Sequence, residues 1–178
     1  GNKVAPSPYN VNPAGFTIHS AIHRSSHDAA WIMHTHSRAG VAVSTMEEGL
    51  MPLNQIALQF YGRISYHDYE GIALDLSERE RIVASLGHNQ ALVLRNHGLL
   101  TTGANAGQMF NNMFYLERAC EIQVASLSMN QPLRVVPDAL AKHVAAQYDI
   151  PMGEDDDIAL EWTAHLRSLE EHHADYKT

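Results

Sequence analysis

The sequence predicts an α/β fold, with helices packed on a modest sheet, from three observations. Two short apolar runs, Ala29-Ala30-Trp31-Ile32-Met33 and Ala91-Leu92-Val93-Leu94, have the length and residue types of buried strands. A long segment opening at Asn105 places Met109, Met113, Leu116, Cys120 and Val124 three or four residues apart, the period of a helix with one buried face. No linker is long enough to divide the chain, so its 178 residues are expected to form one domain. A core of that size buries roughly two-thirds of the surface the unfolded chain exposes.

Taken in order, the segment from Gly1 to Pro13 is rich in proline and turn residues and reads as an extended lead-in. Phe16, Ile18, His19 and Ile22 suit a short amphipathic helix that ends around Ser25 to Asp28. The first apolar run leads directly into His34-Thr35-His36, as a strand emerging at a sheet edge would. Ser37 can cap a helix to about Met46, which Gly49 and Pro52 break. Leu53 to Tyr66 fits neither period, and Tyr66-His67-Asp68-Tyr69 reads as a polar turn. Ser77 to Glu80 has the capping-box pattern, opening a helix that Gly87 closes. The second apolar run is followed by Asn96-His97-Gly98 and Leu99-Leu100, two strands joined by a tight turn. The helix from Asn105 reaches about Ser128, and two more are expected at about 139–147 and 155–172, with Glu154 to Asp157 at the dipole-favoured end of the last.

Composition excludes several functions. A formal charge of -8 opposes nucleic-acid binding, which depends on Lys and Arg neutralising phosphates. No apolar run approaches the roughly 20 residues that span a bilayer, and no membrane association is expected. Cys120, the single cysteine, cannot form an internal disulfide, and no signal-like segment stands out, so a cytoplasmic setting is expected. Histidines number 12, equal to Lys and Arg together, which directs attention to their spacing.

Alternate side chains of a strand share a face, so His34 and His36 point the same way with Thr35 opposed. If the strands ending at His36 and before His97 are neighbours, all three imidazoles meet at one sheet edge. Three neutral imidazoles with a fourth position open to water or substrate suit a catalytic divalent ion, Zn2+ above all, with cobalt, manganese or iron admitted. The alternative is a set of hydrogen-bonded polar residues at strand ends. His19 and His23, four apart on one helix face, read as a satisfied, partly buried pair; His88, His143, His165, His172 and His173 read as surface residues.

Several segments resemble the class II aldolase/adducin family, and its adducin-like branch more than its sugar-phosphate aldolases. They are Asn12-Pro13-Ala14-Gly15-Phe16-Thr17-Ile18-His19-Ser20-Ala21-Ile22-His23, His34-Thr35-His36-Ser37-Arg38-Ala39-Gly40, Tyr66-His67-Asp68-Tyr69-Glu70-Gly71, Arg95-Asn96-His97-Gly98-Leu99 and Cys120-Glu121-Ile122-Gln123. The resemblance implies a three-layer αβα sandwich around a mainly antiparallel sheet. It also implies His34, His36 and His97 as metal ligands, a small-molecule substrate, and a homo-oligomer, usually a tetramer with sites at subunit interfaces.

The departures bear on activity. The glutamate that serves the aldolases as proton-transfer base falls here on Gly15, the neighbouring phosphate-holding positions fall on Pro13 and Ala14, and the tyrosine acid has no match near Gln55 or Ile56. The N-terminal helices and phosphate loop have no counterpart, so residues 1–178 are expected to be a class II aldolase/adducin-like domain lacking its N-terminal segment. For the missing base, His67, His23 and Glu70 are the candidates. The first functional expectation is a metal-dependent lyase, epimerase or decarboxylase acting on a small oxygenated carbonyl compound. The second is a non-catalytic, adducin-like oligomerisation or binding domain that keeps the metal-site histidines, and the third a metal-free scaffold.

Overall fold

The computed structural model describes residues 3–25, 29–150, 157–173 and 175. Four strands, β1 (Trp31–Thr35), β2 (Ile64–His67), β3 (Ala91–Leu94) and β4 (Gly98–Gly103), form one sheet in the order β1-β4-β3-β2. β1–β4 and β4–β3 are antiparallel and β3–β2 is parallel, so the sheet is mainly antiparallel, as the resemblance implied.

Alternation along the strands builds two cores. Leu92, Leu94 and Leu100 face α1 (Pro13–Ser25) and α4 (Glu78–Leu86), where they meet Ile18, Ile22, Ile82 and Leu86. Ala91, Val93 and Leu99 face α2 (Arg38–Ser44) and α5 (Ala106–Ser128), against Val43, Met113, Leu116 and Cys120. The result is the three-layer αβα sandwich. Two helices, α3 (Gln55–Leu58) and α6 (Asp138–Gln147), pack on each other, while α7 (Asp157–His172) lies along α5.

Local causes are visible at several joints. Asn105 caps α5 by accepting the Gln108 amide at 2.8 Å, and Ser37 caps α2 by accepting the Gly40 amide at 3.2 Å. Gln123 is buried in α5 because it ties down the loop before α3, donating to the Gly49 carbonyl at 2.8 Å and accepting the Met51 amide at 2.7 Å. That loop can pass under Tyr66 only because Gly49, at φ 65°, carries no side chain: a Cβ there would fall 2.5 Å from the tyrosine oxygen.

The structure corrects four sequence readings. Leu53 to Tyr66 holds the short helix α3 and most of β2, whose parallel partner β3 lies far along the chain and leaves no local signal. His67 is the last residue of β2, 5% exposed, and not part of a polar turn. The capping box at Ser77 does not form: Ser77 is already helical, and its amide and hydroxyl both donate to Asp75 at 2.8 Å. His165 is half-buried, its ring edge-on to Phe110 at 5.1 Å, because α7 lies on α5 there. The α1 stop near residues 26–28 and the acidic run at 154–156 lie outside the described residues. Among the described residues no helix is long and apolar enough to cross a membrane.

Candidate metal centre

His34, His36 and His97 converge. Each pair of rings is 4.7 Å apart between centroids, and the ligand-type nitrogens all lie within 4.8 Å of one another. The sheet register causes this: β1 pairs with β4, so His34 sits opposite Leu100 and the end of β1 reaches the turn that carries His97. In that turn Asn96 takes φ 56°, a left-handed conformation that asparagine tolerates better than most residues, and its amide donates to the Ser44 carbonyl at 3.0 Å. Gly98 follows because a Cβ there would fall against the carbonyl oxygen of Thr35. On the opposite face Thr35 donates to the sulfur of Met113 at 3.4 Å, so the alternation that sends the two histidines one way anchors the strand the other way.

The protonation pattern follows from one contact. Nδ1 of His34 is 2.8 Å from the carbonyl oxygen of Leu99, an atom that only accepts, so Nδ1 carries the hydrogen and Nε2 presents a lone pair. That Nε2 is 2.8 Å from Nε2 of His36; two lone pairs at this distance repel unless a proton or a cation lies between them. Burial pushes the His34 pKa down to about 4, the Leu99 bond opposing and the charges of His97, His36 and His19 assisting. Burial, then His36, lowers His97 as well. No carboxylate is among the charges acting on either ring. A tetrahedral ion with bonds of about 2.0–2.1 Å separates its ligands by about 3.3 Å. The donor atoms are spread on that scale, and the set of neutral imidazoles fits a divalent ion.

The other candidates sit elsewhere. His67 has both nitrogens engaged, Nδ1 with Ser85 at 3.0 Å and Nε2 with Glu78 at 3.4 Å, and it shares with His97 only a cavity of about 10 Å³, room for at most one water. Both oxygens of Glu70 accept from Arg81, at 2.7 and 2.5 Å, and that guanidinium holds its carboxyl below the usual range. His23 is exposed at its end of α1, Nδ1 3.1 Å from the Ala29 carbonyl. Gly15 lies in the first turn of α1, where Asn12 accepts the amides of Ala14 at 3.1 Å and Gly15 at 3.4 Å. Sequence reasoning did not find two features: the Leu99 carbonyl that sets the His34 tautomer, a backbone atom with no sequence signature, and Glu117, which accepts from the Ser37 hydroxyl beside His36.

With this geometry, a sandwich carrying three convergent histidines on its sheet edge, comparison with known proteins is specific. Residues 1–124 match the Class II Aldolase and Adducin N-terminal domain, and the chain belongs to that family. A Caulobacter vibrioides protein described as "Putative aldolase class 2 protein" is 49% identical over 171 residues, 96% of this chain and 66% of the relative. Alpha-adducin of Rattus norvegicus is 46% identical over 119 residues, 66% of this chain and 16% of the adducin. Among solved structures, an aldolase II superfamily protein from Pseudomonas syringae superposes with a TM-score of 0.88 at 44% identity, over 97% of this chain and 68% of the other. L-fuculose 1-phosphate aldolase from Glaciozyma antarctica does so at 0.74 and 25% identity, over 93% of this chain and 61% of the other. The chain thus spans about two thirds of the length of the aldolase-like proteins it resembles over nearly all of its own.

Proposed function

We propose that this chain is a metal-dependent member of the class II aldolase family, a lyase acting on a small oxygenated carbonyl compound, with Zn2+ held by His34, His36 and His97. The convergence of the three rings, 4.7 Å apart in every pair, carries the reading. A bound divalent ion supplies Lewis acidity toward a carbonyl oxygen and its neighbouring hydroxyl. The chain itself contributes neutral nitrogens, a tautomer set by Leu99, and the open fourth position of a three-ligand site. Assembly as a homo-oligomer, a tetramer in particular, is part of the proposal and accords with family members being typically oligomeric.

Sugar phosphates are poor substrates in this reading. Pro13 has no N–H, Ala14 has no hydroxyl, and the Ala14 and Gly15 amides already donate to Asn12, so the head of α1 offers a phosphate little. The test is retro-aldol turnover, with zinc and after chelation, of L-fuculose 1-phosphate and of unphosphorylated L-fuculose. Zinc-dependent cleavage favouring the unphosphorylated compound is expected. Turnover of the phosphate above about 1 s⁻¹, within the normal enzyme range, would overturn this part of the reading. A second reading, a non-catalytic adducin-like domain that keeps the histidines, is favoured by Gly15 and by the adducin similarity. It predicts metal uptake with no turnover of either compound.

A further inference from the structure

At the start of β3 and the end of β4, opposite the turn that carries His97, lies a cleft of about 280 Å³. Small-molecule pockets begin at about that size, roughly 300 Å³. Gln59, Arg63, His88, Asn89, Gln90 and Asn112 line it, four of them side-chain amides, and no carboxylate does. The Arg63 guanidinium is engaged elsewhere, by Asp149 at 2.8 and 2.5 Å and by the Ala145 carbonyl at 2.8 Å. Phe60, also in the wall, is 4% exposed and offers no face on which a planar base could stack.

Backbone carbonyls only accept, and this decides which end of each amide is left free. The Thr102 carbonyl takes Nδ2 of Asn112 at 3.0 Å, and the same Nδ2 is 3.2 Å from Gln90, which turns Oε1 toward it. Asn112 is left with Oδ1, and Gln90 with Nε2. Behind the cleft the Leu86 carbonyl takes the Ser65 hydroxyl proton at 3.1 Å. Ser65 Oγ therefore accepts Nδ2 of Asn89, at 2.9 Å, and leaves Asn89 with Oδ1. The side chains of Gln59 and His88 bond to no described residue. The cleft thus holds two fixed acceptors, one fixed donor and an uncommitted amide, set in place before any ligand arrives. Two fixed acceptors need two donors on the ligand, which a carboxylate or phosphate lacks. A cation would find no carboxylate to neutralise it. Hydroxyl groups donate and accept at once, and so match the whole set.

We propose that this cleft binds a neutral polyhydroxyl compound of monosaccharide size, its hydroxyls donating to Asn89 and Asn112 and accepting from Gln90, with Gln59 as an adaptable fourth partner. The site is at the other end of β3 from His97 and does not depend on the metal reading.

The experiment titrates 15N-labelled protein with D-glucose, following amide signals by NMR, with Zn2+ present and after chelation. Saturable shifts are expected at the side-chain NH2 signals of Gln59 and Gln90 and at the backbone amides of residues 88–91, with the same midpoint in both conditions. Gln90→Glu keeps the size and the acceptor for Asn112 but removes the free donor. It should weaken binding about fivefold to tenfold, the worth of one neutral hydrogen bond, and Gln59→Ala should weaken it less. Gln90 is exposed and the Gln59 side chain is unbonded, so both variants should keep the wild-type amide spectrum elsewhere. D-Glucuronate, which sets a carboxylate on the same ring, should bind more weakly than glucose. Absence of saturable shifts with glucose overturns the proposal, as does a midpoint unchanged in both variants. Glucuronate binding as tightly as glucose refutes the neutral class of ligand. Binding that vanishes on chelation, or shifts centred on residues 34–36 and 97, would assign the sugar to the metal centre and overturn the cleft.

Discussion

At one end of the sheet His34, His36 and His97 gather with no carboxylate among the charges acting on His34 and His97, whereas His67, at the same end, is enclosed by Glu78, Ser85 and, at 3.9 Å, Glu70. Both clusters are built around histidines at strand ends or in the turn that follows one, and His67 is joined to the turn of His97 through its own carbonyl, which accepts the Arg95 amide at 2.8 Å. They differ in what the nitrogens face. Nε2 of His34 and Nε2 of His36 stand 2.8 Å apart with the His97 ring beside them, an arrangement that costs energy until a cation or proton lies between the two nitrogens. His67 has each nitrogen beside a protein partner and needs nothing further. Availability of lone pairs, not the count of histidines, separates a candidate metal centre from a structural cluster, and the two should respond oppositely to mutation.

The largest expected effect is on metal affinity. His34→Ala should weaken Zn2+ binding by more than the ten- to hundredfold typical of losing an outer-shell partner, while His67→Ala leaves it unchanged, as measured by competition with a chelating dye. Stability should sort the other way. His67→Ala removes a partner from Glu78, which is 6% exposed, and should destabilise the metal-free protein by about 1–3 kcal/mol in urea unfolding. His36→Ala, at an exposed ring, should change it little.

Gly98→Ala would blur the distinction, since the added methyl must push β4 away from Thr35. It should cost about 1–3 kcal/mol and also loosen metal binding, both read on one preparation. The pH response is smaller. His34 is lowered in the folded state from an ordinary value of 6.5 to about 4, so the unfolded chain binds its proton first as pH falls. Metal-free protein should therefore be most stable above pH 6.5 and lose stability between there and about 4, and His34→Asn should flatten that loss in urea midpoints taken across the range. The smallest effect is at the exposed Arg81–Glu70 pair, where Arg81→Ala should change stability by no more than about 1 kcal/mol and metal binding not at all.

The convergent site was legible in the sequence because its information is local. His34 and His36 are two apart on one strand, and His97 follows a second apolar run by a tight turn, so strand pairing alone completes the triangle. The surroundings were not legible, because they depend on contacts distant in sequence. β2 pairs in parallel with β3 across α4, which buries His67 against a helix that propensity cannot place beside it. Glu70 and Arg81 meet across the segment between β2 and α4. The family resemblance made the sandwich and the Gly15 substitution readable, while the open space above Gly15 is visible only in three dimensions.

The most direct test of the account is metal content. Freshly purified protein, measured by elemental analysis after brief exposure to equimolar Zn2+ and desalting, should hold one ion per chain, and His97→Ala, treated identically and shown folded by circular dichroism, should hold none. Full metal content in His97→Ala would contradict the claim that the three convergent imidazoles are the ligands.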